Sequence, residues 1–568
     1  MSFAAVWPLE QAQLRILALA WPPLKKNRGR AARIVVLSLS ASLLAMLQPY
    51  LSKVLVDEGA LAGNMRVLVG SCAFMLLAPL IGVFLESFNR FDHIDLSSQV
   101  LFRLREQVFG HLQSLSPAYY ARVGMGELFS RFDRDLAEVQ RFVVDSPLAV
   151  IGGLFNLVAL TVLMCSLSVP LALLVLAIIP LQVTAAWAKR RDIENAARQV
   201  RVRSAALSSY FLDSLRAVKF IQATNTQSAR MDGLRDHHRE YYLSLRASQQ
   251  ASFVLNLLQR LAGTLGMAMV VGAAGWLLMH HKTSVGVLVA FVGYAARAGG
   301  PVNTLLGVFS GWQRARVSLS RVAELLQSSP VRDAQATTRP MPEVCRGELE
   351  FRKVSYRHDS DVCVLRDASF RAAAGSKTVL LGVSGGGKST VADLILCHYM
   401  PQAGAILLDG VDIGHVGLAE LRRRVAVVDQ EPVFFPGTVA DNLRYVRQEA
   451  GDAEIRAAMA QAGLDLARVA PERQLGASSY ALSRGERMRL ALARAILQNP
   501  AVLILDETTS AVDRVLAMSI MGCVDRIFAG KTRIVITHDP LLAGEVDQVC
   551  VLRAGQVITQ SAEVAHAA

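Results

Sequence analysis

Six stretches of about 20 mostly apolar residues, near positions 34–56, 67–88, 144–166, 169–188, 252–279 and 285–309, constrain this 568-residue chain more than any other feature. A run of that length with few charges matches the hydrocarbon thickness of a bilayer, where a helix satisfies every backbone polar group internally. Six membrane helices are therefore predicted, and the third and fourth, separated by "SLSVP", form a tight hairpin. The connections differ in charge. Those near 57–66, 166–169 and 280–284 carry Arg66 and Lys282 as their only Lys or Arg, whereas 90–143, 189–250 and 310–322 are dense in both. The positive-inside rule then places the long segments and both termini on the cytoplasmic side, as expected for an inner (plasma) membrane protein.

This topology also accounts for a formal net charge of +13 and a mean hydropathy of +0.34. No single basic patch interleaved with aromatics is visible, so no nucleic-acid partner is expected. The seven cysteines are scattered without a CxxC pair, which argues against a zinc site or a disulfide framework and for reduced, mostly buried thiols. The N-terminus lacks a signal-peptide pattern. Its apolar residues precede a basic run from Lys25 to Arg33, which predicts a short helix lying on the inner leaflet over residues 1–30.

Heptad-like apolar residues run through "LSSQVLFRLREQVFGHLQSL" and "ARQVRVRSAALSSYFLDSLRAVKFIQ", so the spans are predicted to continue as helices well into the cytoplasm. Each continuation contains a break from which a short helix projects. The membrane domain is expected over 31–325 and a Pro-, Ser- and Thr-rich linker over 326–346. From 347 to 568 short β-rich runs alternate with helical ones, the pattern of an α/β domain with a largely parallel sheet. The expected fold is thus an all-α six-helix transmembrane domain followed by an α/β P-loop nucleotide-binding domain.

"LLGVSGGGKSTVADLIL" fits G-x-x-x-x-G-K-[ST], with Gly382, Gly387, Lys388 and Ser389 between a strand and a helix. Glycines let the backbone wrap phosphate oxygens, Lys388 adds a point charge and Ser389 offers a hydroxyl to Mg²⁺. Ser384, Gly385 and Thr390 complete the candidate phosphate contacts of ATP. About 120 residues on, "NPAVLILDETTSAVD" is a buried strand ending in two acids. Asp506 is suited to orient the Mg²⁺ shell and Glu507 to polarise the attacking water.

With these motifs in this order, the chain resembles an ATP-binding cassette exporter of the half-transporter type over nearly its whole length. The resemblance implies further roles. Tyr356 in "FRKVSYRH" matches the aromatic that stacks on adenine, Gln430 in "VVDQEPVFF" the glutamine that touches Mg²⁺, Asp513 in "TSAVD" a loop crossing a dimer interface, and His538 in "VITHDP" the switch histidine at the γ-phosphate. "SPAYYARVGMGELFSRF" and "LDSLRAVKFIQATN" resemble the two coupling regions. Ala477 falls where the family commonly has glutamate. "LSRGE" stands where the family has LSGGQ, keeping Ser483 and Gly485, which contact the nucleotide held by the opposite subunit. Ser483 with Glu486 also forms an S-x-x-E capping pattern, which predicts a helix start there. Arg484 is compatible with that role unless its position must approach phosphate closely or adopt positive φ.

The resemblance implies a dimer, of two copies or with a related half-transporter, that exports a small-molecule, lipid or peptide cargo through the lipid bilayer. A nucleotide-gated channel or membrane sensor with little turnover is the alternative, and intact Glu507 argues against it. Arg297 in the sixth span has two readings: it lines the translocation path and favours an acidic or polar group, or it serves a structural partner. Gly299, Gly300 and Pro301 predict a kink beside it. His237 and His238 lack metal-ligand spacing and read as a solvated helix face.

Overall fold

The structure is a computed structural model that describes residues 11–328, 331, 339–358, 363–383, 385–476, 482–508, 514–538 and 545–561. It divides into two units, one comprising Met1–Gly110 with Gly126–Gln327 and the other His111–Met125 with Ser328–Ala568.

The helices in chain order are α1 (Gln11–Lys26), α2 (Arg28–Val54), α3 (Met65–Ser114), α4 (Pro117–Val123), α5 (Met125–Ser130), α6 (Leu136–Leu167), α7 (Val169–Arg216), α8 (Val218–Ala223), α9 (Gln227–Met279), α10 (Val285–Arg297) and α11 (Gly299–Gln327). Among the described residues five helical stretches have the length and hydropathy to cross a bilayer, and the fourth predicted span is represented by the apolar portion Val169–Pro180 of α7. At 1.5 Å per residue α3 and α9 reach about 75–80 Å, more than twice the ~30 Å hydrocarbon layer. The predicted continuation of spans beyond the membrane is therefore observed. The hairpin between α6 and α7 turns on Ser168 alone, whose backbone is extended, with Pro170 in the first turn of α7.

Phe291, Tyr294, Leu160, Met164 and Leu171 form the buried centre of the membrane unit. Pro49 lies inside α2, so its nitrogen cannot donate to the carbonyl of Ala45 one turn earlier. The Arg297 guanidinium donates to that same oxygen and, at 2.6 Å, to Gln48 Oε1. Tyr294 Oη donates to Met46 O at 3.1 Å. The hydrogen bonds of Arg297 thus join α10 to the broken turn of α2, which favours the structural-partner reading. A one-residue break follows at once, because α10 ends at Arg297 and α11 begins at Gly299, and Ala298 between them keeps a right-handed helical backbone. At the other end of α10, Asp57 accepts from Gly286 N at 2.8 Å and from Ser284 Oγ at 2.5 Å. A Cβ on Gly286 would stand 2.6 Å from the Asp57 carboxyl carbon, so only glycine lets that carboxylate approach.

Among the described residues the second unit contains three sheets, the smallest pairing β7 (Gly437–Thr438) with β8 (Gln474–Leu475). Strands β1 (Leu349–Arg357), β2 (Cys363–Ala372), β4 (Ala403–Leu408) and β5 (Val411–Asp412) form an antiparallel sheet in the order β2-β1-β4-β5. The larger sheet has the order β12-β11-β3-β10-β9-β6, from β3 (Lys377–Gly382), β6 (Val425–Val428), β9 (Val502–Asp506), β10 (Thr532–Thr537), β11 (Gln548–Arg553) and β12 (Gln556–Ser561). Strands β11, β3, β10, β9 and β6 are mutually parallel, and β12 is an antiparallel edge. Buried runs such as Val502–Leu505 are apolar throughout, as a sheet covered on both faces requires. Short helices α12 (Lys388–Ile395), α13 (Leu418–Arg424), α14 (Val439–Arg444), α15 (Asp452–Gln461), α16 (Arg484–Gln498) and α17 (Arg514–Ile527) accompany it.

All seven cysteines are free. Cys397 and Cys550 are buried and Cys72 is exposed, while the other four are half-buried, so burial of the thiols is less general than expected.

Replacing Arg297 with Met should lower the melting temperature of the purified protein, because the Ala45 carbonyl loses its donor. Adding Pro49→Ala, which restores an amide to α2, should recover much of the loss. A double-mutant cycle in thermal unfolding should show coupling on the order of 1–2 kcal/mol.

Candidate functional site

Because the five central strands of the larger sheet run parallel, their carboxyl ends meet along one edge, where ligands bind in open α/β sheets. The end of β3 leads into the phosphate loop and α12, the end of β6 into Gln430, the end of β9 carries Asp506 and Glu507, and the end of β10 leads to His538. The strand order places β10 between β3 and β9, with β6 beyond β9. Residues widely separated in sequence are gathered by topology alone.

Gly385 and Gly387 in the loop have φ of +75° and +97°, which side-chain-bearing residues rarely adopt. A Cβ on Gly387 would also lie 2.4 Å from Val364 Cγ1. The Lys388 side chain, 4% exposed, folds back over the loop, and its ammonium donates to Gly382 O at 2.8 Å and Val383 O at 3.0 Å. Glu507 Oε1 lies 3.4 Å away. Glu507 itself has a left-handed backbone, with φ +45°, and its N–H donates to Ile536 O at 3.0 Å across the sheet.

Burial pushes the Asp506 carboxyl above the usual aspartate range; a hydrogen bond from Ser389 opposes this, and the nearby Glu507, Asp429 and Asp393 add to it. Its Oδ1 is buried without a hydrogen-bond partner. Such an acceptor beside a hydroxyl suits a hard cation, which Mg²⁺ satisfies with one or two protein oxygens plus phosphate oxygens. Ser389, Gln430 and His538 are exposed and Thr390 is buried. Ser384, Asp513 and Ala477 lie outside the described residues.

Tyr356 is placed differently from the expectation. It is 7% exposed within β1 and stacks on Tyr399 with ring centroids 5.4 Å apart. Both its faces are therefore poorly accessible to adenine. His358, two residues on at the strand end, is half-buried and stands edge-on to both rings at 4.9 and 5.3 Å. It is the more available aromatic, and the period-2 alternation of a strand was the signal for a second aromatic on the same face.

The altered signature forms the predicted cap. The Glu486 N–H donates to Ser483 Oγ at 3.2 Å and the Ser483 N–H donates to Glu486 Oε2 at 2.7 Å, a complete capping box at the start of α16. Arg484 is exposed and is the first helical residue, outside the positive-φ set, so the positive-φ condition does not arise. The Ser483 backbone amide, first among several donors and charges, holds the Glu486 carboxyl below the usual glutamate range. Farther along α16, Arg494 donates to Val433 O at 2.6 Å and to Asn442 O at 3.0 Å, and lies 4.3 Å over the Phe434 ring. Burial lowers it to about 10. These bonds tie the signature helix to the loop that follows Gln430.

His237 and His238 sit on α9 against Tyr210 and Tyr241. Among the described residues no cluster of three His, Cys, Asp or Glu could hold a metal.

Ser483→Ala should cost about 1 kcal/mol of local stability and accelerate amide exchange at residues 484–487 roughly fivefold, readable by mass spectrometry on the intact protein. Since Glu486 is depressed, its contribution is present above the ordinary glutamate pKa and is lost only as pH falls through its lower folded value. Exchange at these amides should therefore stay protected down to mildly acidic pH, and Glu486→Gln should remove the acid dependence.

Two family models match the chain, the ABC transporter transmembrane region over residues 32–302 and the ABC transporter model over 365–510. Curated relatives include an uncharacterized ABC transporter ATP-binding protein of Bacillus subtilis, 26% identical over 95% of this chain and 90% of that one. The ATP-dependent lipid A-core flippase of Bordetella pertussis is 29% identical over 81% and 75%. A multidrug efflux ATP-binding/permease protein of Mycobacterium tuberculosis is 29% identical over 92% of this chain and 44% of its own length. Among solved structures, a bacterial Atm1-family ABC exporter with ATP bound superposes with a TM-score of 0.79 at 25% identity, covering 96% of each chain. The chain is an integral membrane protein of the ABC transporter family, an ATP-binding exporter in which hydrolysis is coupled to transport.

Proposed function

We propose that the chain works as a dimer, with a second copy or a related half-transporter, and moves a lipid, hydrophobic drug, peptide or siderophore-like molecule outward across the inner membrane. The convergence of the phosphate loop, Gln430, Asp506–Glu507 and His538 on the carboxyl edge of one parallel sheet carries this reading. The nucleotide-binding domain, taken as 347–568, and both termini face the cytoplasm, on the strength of the basic segments 90–143, 189–250 and 310–322. The flippase and efflux relatives support lipid and drug as cargo classes.

In this reading ATP phosphates lie in the loop of Gly382, Ser384, Gly385, Gly387, Lys388, Ser389 and Thr390. Ser389, Gln430 and Asp506 would hold Mg²⁺, which would neutralise charge developing on the phosphate oxygens. Glu507 accepts a hydrogen bond from the attacking water and polarises it, while Lys388 and His538 meet the γ-phosphate. Lys388 exchanges its Glu507 contact for phosphate when nucleotide enters. Ser483 and Gly485 of one subunit complete the site of the other, and Asp513 lies at that interface. Tyr356, edge-on to His358, supports the ring that meets adenine. Intact Glu507 also disfavours a nucleotide-gated channel without turnover.

In proteoliposomes the ATPase rate of Glu507→Gln should fall by about two to four orders of magnitude with ATP binding retained. Equal rates for wild type and variant would sink the reading. Restoring Gly and Gln together at 484 and 486 should change the rate by less than about fivefold, because Ser483 is already held by its cap. A larger change would mean that Arg484 or Glu486 acts on the partner's nucleotide.

A further inference from the structure

The membrane unit contains a polar feature that nucleotide chemistry does not use. A cavity of about 510 Å³, within the range of drug-sized ligand sites, is enclosed by α2, α3, α6 and α11. Ile34 and Leu148 contribute apolar wall, whereas Asn89 and His93 on α3 and Asp145 and Asn156 on α6 bring polar groups to it. His93 Nε2 lies 3.0 Å from Asp145 Oδ1, at ion-pair distance but out of line for a hydrogen bond. That oxygen and the Oδ1 atoms of Asn89 and Asn156 are all buried without a hydrogen-bond partner.

Three unfilled polar atoms around one cavity are unusual, because buried polar groups are nearly always satisfied. Rotating a carboxamide presents its nitrogen in place of its oxygen, so each asparagine can either accept from a ligand or donate to it. The carboxylate sets the sign, since an ionised Asp145 only accepts. Its side chain remains 44% accessible, and that of His93 34%, so the pair is open to the cavity rather than sealed. Arg297, the charge that pointed to an acidic cargo, does not line this cavity and is hydrogen-bonded to α2. Gly152 and Gly300 do line it, and a Cβ on either would meet nothing within 4 Å. Free space therefore reaches both helix backbones.

We propose that this cavity is a cargo site selective for amphiphilic amines. The protonated amine donates to Asp145 in place of the misaligned imidazole and reaches the Asn89 and Asn156 carboxamides, while the apolar body lies against Ile34 and Leu148. This rests on the export reading and names a substrate class for it.

The test uses the full chain in nanodiscs without nucleotide and two probes that share a fluorophore, dansylcadaverine with a terminal ammonium and dansyl-6-aminohexanoate with a terminal carboxylate. Dansylcadaverine should bind saturably above empty nanodiscs and about tenfold more tightly than the acid. Asp145→Asn should remove most of that preference, and Gly152→Leu, which fills the cavity, should weaken the amine about tenfold. Equal or tighter binding of the acid, no saturable binding, or amine binding unchanged in both variants would each overturn the proposal. If a variant does not yield a monodisperse protein, the wild-type comparison of the two probes decides alone. Because binding is read without ATP, a protein that hydrolyses ATP but shows no amine preference overturns this inference only, whereas absent hydrolysis overturns the export reading.

Discussion

An ammonium almost wholly removed from solvent organises the nucleotide end of this molecule. A buried cation must be surrounded by acceptors, and Lys388 finds them in Gly382, Val383 and Glu507. These partners come from two different strand ends, so the lysine holds the phosphate loop against the acidic pair that follows β9. The parallel sheet makes this arrangement possible, because parallel strands bring chemically active turns to the same edge however far apart they lie in the chain. The glycines of the loop then supply backbone conformations that leave room for the lysine to fold over them.

The membrane unit follows the same logic with different groups. A proline removes a hydrogen bond from α2, and Arg297 and Tyr294 from a neighbouring helix bond to carbonyls of that turn. Asp57 does comparable work at the other end of α10, where the absence of a side chain on Gly286 permits close approach. In a hydrocarbon environment no water can substitute for such partners, so helices are joined wherever one of them is imperfect. Polar residues inside the spans therefore divide into those whose bonds are filled by neighbouring helices and those around a cavity whose bonds are not.

Much of this was legible before the coordinates. Spans declare themselves through length and apolar content, and the phosphate loop through glycines placed between a strand and a helix. The cap at Ser483 was readable from two residues, because capping depends on local geometry alone. Other features escaped for identifiable reasons. Tyr356 was assigned to adenine by resemblance alone, and nothing in its neighbourhood in sequence marks Tyr399, more than 40 residues on, as the ring that stacks on it. The partner of Arg297 lies about 250 residues away in sequence, and nothing local marks Ala45 as an oxygen in need of a donor. His93 and Asp145 were submerged in a basic segment and a span respectively, so their juxtaposition is a product of helix packing.

Glu507 stands in a backbone conformation that glycine would adopt freely and that costs another residue roughly 1 kcal/mol. A chain shaped only for durability would place a smaller, more permissive residue at this turn. Retaining a carboxylate there means that the fold carries a permanent local strain beside its phosphate loop and, on the proposed role of Glu507, that the most heat-resistant version of this molecule would not be its most capable one.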